Sequence, residues 1–276
     1  MKNIGTKLAA VACLLLATPA FAGKGGSAQS VRAAIHSGSV DAIIAEVERV
    51  EGLNCGDCVQ LVTNLTEDNR YEVREVAAWW FAKRPAMAKM LAEGFVADLG
   101  TGGSIAVRNA ADFLGATITF TSLPTMRQAI TRTDLDAGAK RALVRAVKTM
   151  AHVDGNFVLL TAMGDADAKV RADAVSAWRE IRGQQSASPV VALLADPDAA
   201  VRAEAATVVG AMTDATARAS LEHLLVTDAD PYVRRNAAWA LGKLGQSASR
   251  DALRAAASDS SGLVRMTAKA ALASLR

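Results

Sequence analysis

One motif returns along the chain about every 32 residues, and a sequence built this way is restricted to folds in which small units stack on one another. The clearest copy is DADPYVRRNAAWALGKLG, Asp228 to Gly245, with relatives starting at Asp165 and Asp196. Weaker copies start at Asp68, Gly103 and Asp259, and a degenerate one at Ala139. Aligning the arginines gives Arg74, Arg108, Arg141, Arg171, Arg202, Arg234 and Arg265, at intervals of 34, 33, 30, 31, 32 and 31 residues. The copy with Arg141 aligns most loosely, because Arg145 is the arginine that follows a valine there.

A period of this length holds two short helices and two turns. In most copies the valine before the arginine and the residues three and seven after it are apolar, as with Val233, Ala237 and Leu241. Steps of four place them on one helical face, which must be buried. Alanine stands three after the arginine in six of the seven copies, and so small a side chain lets helix axes approach closely. An aspartate precedes the arginine by six residues in five copies: Asp68, Asp165, Asp196, Asp228 and Asp259. Just ahead of a helix, that carboxylate can accept bonds from free backbone amides and favour the positive end of the helix dipole. It can also meet the arginine of its own or the adjacent repeat, running a ladder of charge-assisted hydrogen bonds along the stack. Pro197 and Pro231 stand in the turn before the helix, where a missing amide hydrogen costs nothing.

Second helices are predicted over 86–96, 124–132, 157–162, 188–194, 215–225 and 247–256. Residues 28–65 are expected to form an N-terminal cap, with helices over 40–50 and 58–65, ahead of a solenoid over 66–276. The motif fades over 117–155. Residues 23–27, GKGGS, are expected to be disordered.

The run Asp-x-Asp-Pro-x-Val-Arg-x-x-Ala-Ala-x-Ala-Leu-Gly, met almost completely from Asp228 to Gly242, resembles the HEAT repeat. It is nearest to the short HEAT-like repeat of bilin lyases. The resemblance covers roughly residues 66 to 276. It implies an all-α, right-handed superhelix of about seven helical pairs after a capping pair, with partners bound on the concave surface lined by the second helices. It leaves the activity open, since scaffolds, inhibitors, nucleic-acid binders and cofactor-lyase subunits share this fold.

The N-terminus points to export. Lys2 and Lys7 precede an apolar run that ends in Ala20-Phe21-Ala22 before Gly23, the pattern of a signal peptide cleaved after Ala22. The run is too short for a permanent membrane span, which takes about 20 apolar residues. Losing Lys2 and Lys7 takes the formal charge from +3 to +1, so a mature periplasmic or secreted chain has no electrostatic pull toward nucleic acid. Aromatic residues make up only 4% of the chain, which suits closely packed helices rather than a sheet.

Candidate chemistry is sparse. Cys55 and Cys58, the only cysteines beyond Ala22, are close enough to pair in an oxidising compartment, either as a structural staple or as a dithiol for exchange. His36, His152 and His223 lack ligand spacing, and the Asp-x-Asp pairs at 165/167, 196/198 and 228/230 lack the glycine and distal glutamate of a calcium loop, so no metal or cofactor is expected. No nucleophile elbow, phosphate loop or zinc-protease helix occurs. Trp79, Phe113 and Trp239 each follow their arginine by five residues, either as exposed anchors for a partner or as filling between repeats. The sequence therefore predicts an exported, non-enzymatic scaffold for a protein or peptide partner. A bilin-lyase-like enzyme or chaperone subunit and a thiol-disulfide exchange protein are the alternatives.

Overall fold

The computed structural model describes residues 26–275; the expected signal peptide and residues 23–25 lie outside them. Among the described residues the chain is all helical, with sixteen α-helices, five short 3-10 turns and no strand. Three helices lead in: α1 (Ala28–Ser37), α2 (Val40–Arg49) and α3 (Gly56–Leu65). First and second helices then alternate along the chain: α4 (Tyr71–Ala82) and α5 (Pro85–Thr101), α6 (Ser104–Ala116) and α7 (Leu123–Ala129), α8 (Ala137–Met150) and α9 (Asn156–Ala162). The series continues with α10 (Ala168–Trp178) and α11 (Ser188–Val191), α12 (Ala199–Ala211) and α13 (Arg218–Thr227), α14 (Pro231–Leu244) and α15 (Arg250–Ala256), and closes on α16 (Gly262–Ser274). The architecture is that of an α-solenoid, and every predicted second helix has its counterpart.

The cap holds three helices where the sequence reading expected two, because residues 28–37 carry their own start and stop signals. Ser27 accepts from the Ser30 amide at 3.2 Å while the Ser30 hydroxyl accepts from the Ser27 amide at 3.1 Å, and Gly38 ends the helix at φ 72°. Gly26 and Ser27 were expected in the disordered stretch. Ser27 instead caps α1, and a Cβ on Gly26 would come within 2.8 Å of Val50.

The helices gather into two compact units, one ending at Met150 and the other starting at Ala151. This boundary falls inside the stretch where the motif fades. In the first unit the predicted apolar face of the first helices, Val73, Ala77 and Phe81 in α4 and Val107 and Ala111 in α6, is buried. Around it lies an aromatic core: Phe95 of α5 stacks on Phe113 of α6 at 4.4 Å, and Phe81 lies 5.8 Å from Phe113. Each such side chain taken from water contributes roughly 1.5–3 kcal/mol.

In the second unit the same face is smaller: Val170 and Ala174, Val201 and Ala205, Val233 and Ala237, Val264 and Ala268 are all buried. Small faces bring the helices together. A Cβ on Gly210 of α12 would meet the Cα of Ala240 in α14 at 2.7 Å, so at this position only glycine fits the approach.

Candidate partner-binding surface

Arg171, Arg202 and Arg234 of the second unit bond in one pattern. Nη1 donates to two carbonyls just ahead of its own helix; for Arg202 these are Asp196 O at 2.9 Å and Pro197 O at 3.0 Å. Nε and Nη2 grip the aspartate that opens the next repeat: Arg171 on Asp196 at 2.8 and 2.8 Å, Arg202 on Asp228 at 2.7 and 3.0 Å, and Arg234 on Asp259 at 2.8 and 3.0 Å. The ladder thus runs between repeats. The Arg234 bond holds Asp259 below the usual carboxylate range. Burial pushes Asp196 and Asp228 up, but their arginine bonds and a backbone amide bond outweigh it, and both end lowered. The same bonds raise the three arginines.

Of the two roles open to the aspartates six before the arginine, Asp196, Asp228 and Asp259 take the ladder and not the helix cap. Capping falls to the second acid of each pair: Asp167, Asp198 and Asp230 accept from the amides at the start of α10, α12 and α14. The first acid stands too far ahead of those amides. It accepts the amide two residues on, as Asp228 does from Asp230 at 2.9 Å, and in Asp196 and Asp228 its oxygens also take the neighbouring arginine.

The first unit departs from this pattern. Arg74 donates through Nη1 to Asp68 O and Asn69 O, but its Nε and Nη2 reach Asp112 Oδ2 at 3.0 and 2.7 Å, in the middle of α6. Arg145 of α8 takes the other oxygen, Asp112 Oδ1, at 3.0 and 2.5 Å, with its guanidinium 4.4 Å from the centre of the Tyr71 ring. The Tyr71 hydroxyl donates to Glu75, and burial, followed by that bond, pushes its pKa up to about 12. One buried aspartate thereby ties together α4, α6 and α8. Asp68 is held by Arg70, whose side-chain bond draws its pKa down. Arg108 meets no carboxylate in these bonds; its Nε lies 3.2 Å from Asn109 Oδ1 and its Nη2 3.4 Å from Asn69 Oδ1.

The alignment through Arg141 also shifts. In α8 the buried residues Ala139, Leu143, Val144, Ala146 and Val147 hold the positions that Val233, Ala237, Ala238, Ala240 and Leu241 hold in α14. This puts Lys140 in the arginine's place, with Asp134 six residues and Asp136 four residues ahead of it. Asp136 caps the helix by accepting the Ala139 amide at 2.8 Å, while Asp134 is turned outward onto Arg132 at 2.6 Å. The motif was present, disguised by a lysine. Asp112 gave no repeat signal at all.

Among the proposed anchors, Phe113 is 1% exposed and cannot meet a partner. Trp79 and Trp239 are half-buried, with Lys83 and Lys243 set 5.7 and 5.6 Å from their ring centres. The Trp239 ring lies in the space left by Gly210, where a Cβ would approach it at 2.9 Å, so it fills the seam between α12 and α14. Cys55, the N-cap of α3, faces the buried Cys58 with Cα atoms 5.2 Å apart and the sulfurs in bonding contact. Among the described residues no group of three or more His, Cys, Asp or Glu is placed to hold a metal ion, and no helix is long and apolar enough to cross a membrane.

Each unit carries a groove on its second-helix side. In the second unit a cavity of about 860 Å³ lies between α11 with the turn after it and α13. Leu194 and Leu224 form its floor, and exposed Ala195, Ala219, Ser220 and His223 its lips, with the Arg202–Asp228 step at one end. In the first unit a cavity of about 590 Å³ runs along Ala88, Ala92 and Val96 of α5, facing Thr117, Thr119 and Thr121. Small side chains predominate in both, leaving room for a peptide backbone.

The HEAT repeat family matches over residues 157–235 and 223–276. No curated protein matches the sequence. The X-ray structure of YibA from Escherichia coli is similar in fold at a TM-score of 0.58 and 16% identity, covering 99% of this chain and 97% of that one. Human deoxyhypusine hydroxylase in complex with glycerol aligns over 90% of this chain and 96% of its own, at 20% identity and a TM-score of 0.39. The complex of CpcE and CpcF of phycocyanin lyase from Nostoc sp. aligns over 78% and 86%, at 18% identity and a TM-score of 0.40. Those two likenesses are too loose to carry weight. Residues 157–276 match the HEAT repeat, and helical pairs stand ahead of them in the same α-solenoid.

Proposed function

We propose that the chain is an exported, non-enzymatic scaffold that binds a protein or peptide partner through its second helices. The observation that carries this reading is the pair of apolar-floored grooves, one on each unit's second-helix side, of about 860 and 590 Å³. Apart from His223, their lips are alanine, serine and threonine, over which a main chain can lie and exchange hydrogen bonds. The near-neutral mature charge favours an uncharged peptide surface over nucleic acid. Export to the periplasm or beyond follows from the signal-peptide pattern before Gly23. In that oxidising compartment Cys55 and Cys58 form a structural disulfide that pins the start of α3.

The test is affinity capture from the exported fraction with the chain from Gly23 onward, set beside Ala195→Arg, Ala219→Arg and Thr121→Arg. All three positions are exposed, so the fold should survive, as circular dichroism would check. The expected result is a partner retained by the parent chain and lost by at least one arginine variant. Equal retention by all of them overturns the groove reading. A partner that is also lost when Cys55 and Cys58 are both changed to serine, at unchanged thermal stability, would replace the staple by thiol exchange.

A further inference from the structure

Arg108 holds the ladder position in α6 yet makes none of the ladder's bonds, although α8 of the next repeat follows it in the same unit. In the complete steps Nη1 donates to two carbonyls while Nε and Nη2 grip a carboxylate, as in Arg202. Arg108 reaches the side-chain oxygens of Asn109 and Asn69, at 3.2 and 3.4 Å, and among the described residues no carboxylate pairs with it. Two other residues keep its aspartate away. Asp134, the acid in the ladder place of the next repeat, is held by Nε and Nη2 of Arg132 at 3.1 and 2.6 Å, and Arg132 is itself tied to Leu99 O at 3.2 Å. The amide two residues on, which a ladder acid accepts, is that of Asp136, and it donates to Ser104 Oγ at 2.9 Å instead.

The gap lies in a positive setting. Arg74 donates to Asn69 O at 2.9 Å, beside the contact of Arg108 with the Asn69 side chain, and Arg74 and Arg145 already share Asp112. Glu67 and Glu75 accept from Asn109 and Tyr71. Burial and the charge of Arg74 draw the pKa of Arg108 down, against the pull of Asp112 and Asp136, but an arginine stays charged. A half-buried cation set beside two others without an anion of its own breaks the rule that the rest of the ladder keeps, and such breaks are expected at functional sites. Ile105, three residues earlier on the same face of α6, is 61% exposed and offers an apolar contact next to it.

We infer that Arg108 receives the carboxylate of an aspartate or glutamate on a protein partner, which completes from outside the ladder step that Asp134 leaves open, with Ile105 as the apolar flank. The chain supplies the template: Asp112, Asp196, Asp228 and Asp259 each take Nε and Nη2 of one arginine together. An acid presented on a peptide backbone is therefore the chemistry that suits this guanidinium. The site lies near the start of a first helix and does not depend on the grooves.

The probe is a synthetic peptide of residues 193–201, LLADPDAAV, the loop whose Asp196 is gripped by Arg171, with blocked ends and a neutral dye. It is titrated against the chain from Gly23 onward by fluorescence anisotropy at low salt. Saturable binding is expected, weakened roughly tenfold or more by Asp196→Asn and Asp198→Asn together in the peptide, since a charge-assisted pair is lost. Arg108→Gln in the protein should give the same loss with no fall in the midpoint of thermal unfolding, because a like charge beside Arg74 is removed. Arg108→Lys should recover part of the binding, and Thr121→Arg and Ala195→Arg in the grooves should leave it unchanged. No binding, equal binding of the doubly substituted peptide, equal binding by Arg108→Gln, or loss with either groove variant overturns the site. A lower unfolding midpoint in Arg108→Gln makes the arginine a structural contact and overturns it as well. Displacement of the peptide by inorganic phosphate at equal concentration overturns the assigned occupant in favour of a free anion.

Discussion

In the second unit Arg171, Arg202 and Arg234 each meet an anion that comes from a loop; in the first, the anion that matters comes from the middle of a helix. Asp196, Asp228 and Asp259 each serve one arginine, so the load is divided over three separate steps. Asp112 serves Arg74 and Arg145 together, with its side chain 2% exposed and that of Arg74 4%. Stacked first helices therefore require a carboxylate at a place in space, and sequence can deliver it from either side of the helix. The cost of losing it should follow how many cations depend on it.

The largest effect is expected at Asp112. Asp112→Asn leaves two guanidinium groups without their anion, one fully buried, and should lower the stability of the first unit by roughly 3–5 kcal/mol in urea denaturation. Asp228→Asn removes a partner from one arginine that still has two carbonyls, and roughly 1.5–3 kcal/mol is expected. Equal losses would break the comparison, showing that Asp112 acts on one arginine only.

Helix approach sharpens it next. A Cβ on Gly115 would meet the Cα of Ala146 at 2.6 Å in the first unit, and one on Gly210 that of Ala240 at 2.7 Å in the second. Gly115→Ala and Gly210→Ala should each cost roughly 1–3 kcal/mol by thermal or urea unfolding, because both units depend on the same close contact whatever their ion pairs. A neutral Gly115→Ala would mean that the aromatic core of the first unit lets its helices spread.

Much of this was legible in the sequence for one reason: a buried face repeats with the fold. Val233, Ala237 and Leu241, and their counterparts in other copies, marked each first helix, and a valine before an arginine marked its start. The ladder was legible in the second unit because each residue of a step recurs in register. It was illegible in the first because Asp112 lies where α14 carries Ala238, and no period points to a residue that occurs once. Lys140 was missed because a search for arginine passes over a lysine, although Asp134 and Asp136 stood at the right distances. The grooves left no trace in the motif, since they are made by second helices whose sequences vary freely.

Acid should separate the units more gently. The ladder aspartates of the second unit are held below the ordinary carboxylate value of 3.8. A carboxylate lowered in the folded state contributes fully above its unfolded value and loses that contribution as pH falls through the folded one. The second unit should therefore weaken from about pH 5 downward, and Asp196→Asn, Asp228→Asn and Asp259→Asn together should flatten that limb in unfolding followed from pH 6 to 2. An unchanged acid limb in the triple variant would place the titrating groups elsewhere.

The smallest effect concerns a feature the units share. α6, α8 and α12 are each followed by a residue other than glycine with a left-handed backbone, Ile118, Ala151 and Thr213 at φ 52°, 51° and 51°, whereas α14 ends on Gly245 at φ 67°. After Thr213, Asp214 donates to Val209 O and Thr213 to Gly210 O, and after Ile118, Thr119 donates to Leu114 O and Ile118 to Gly115 O. Both are the same helix stop, made with a β-branched residue that crowds its own carbonyl. Thr213→Gly should therefore raise stability by about 1 kcal/mol, the relief of strain exceeding the added freedom of the unfolded chain. Ile118→Gly gains the same relief but gives up a side chain that is 41% exposed and otherwise packed, so a smaller gain is expected. Thermal unfolding of the two variants side by side would show whether the units, different in how they join their helices, end them by one rule; a gain at Ile118 larger than at Thr213 would break it.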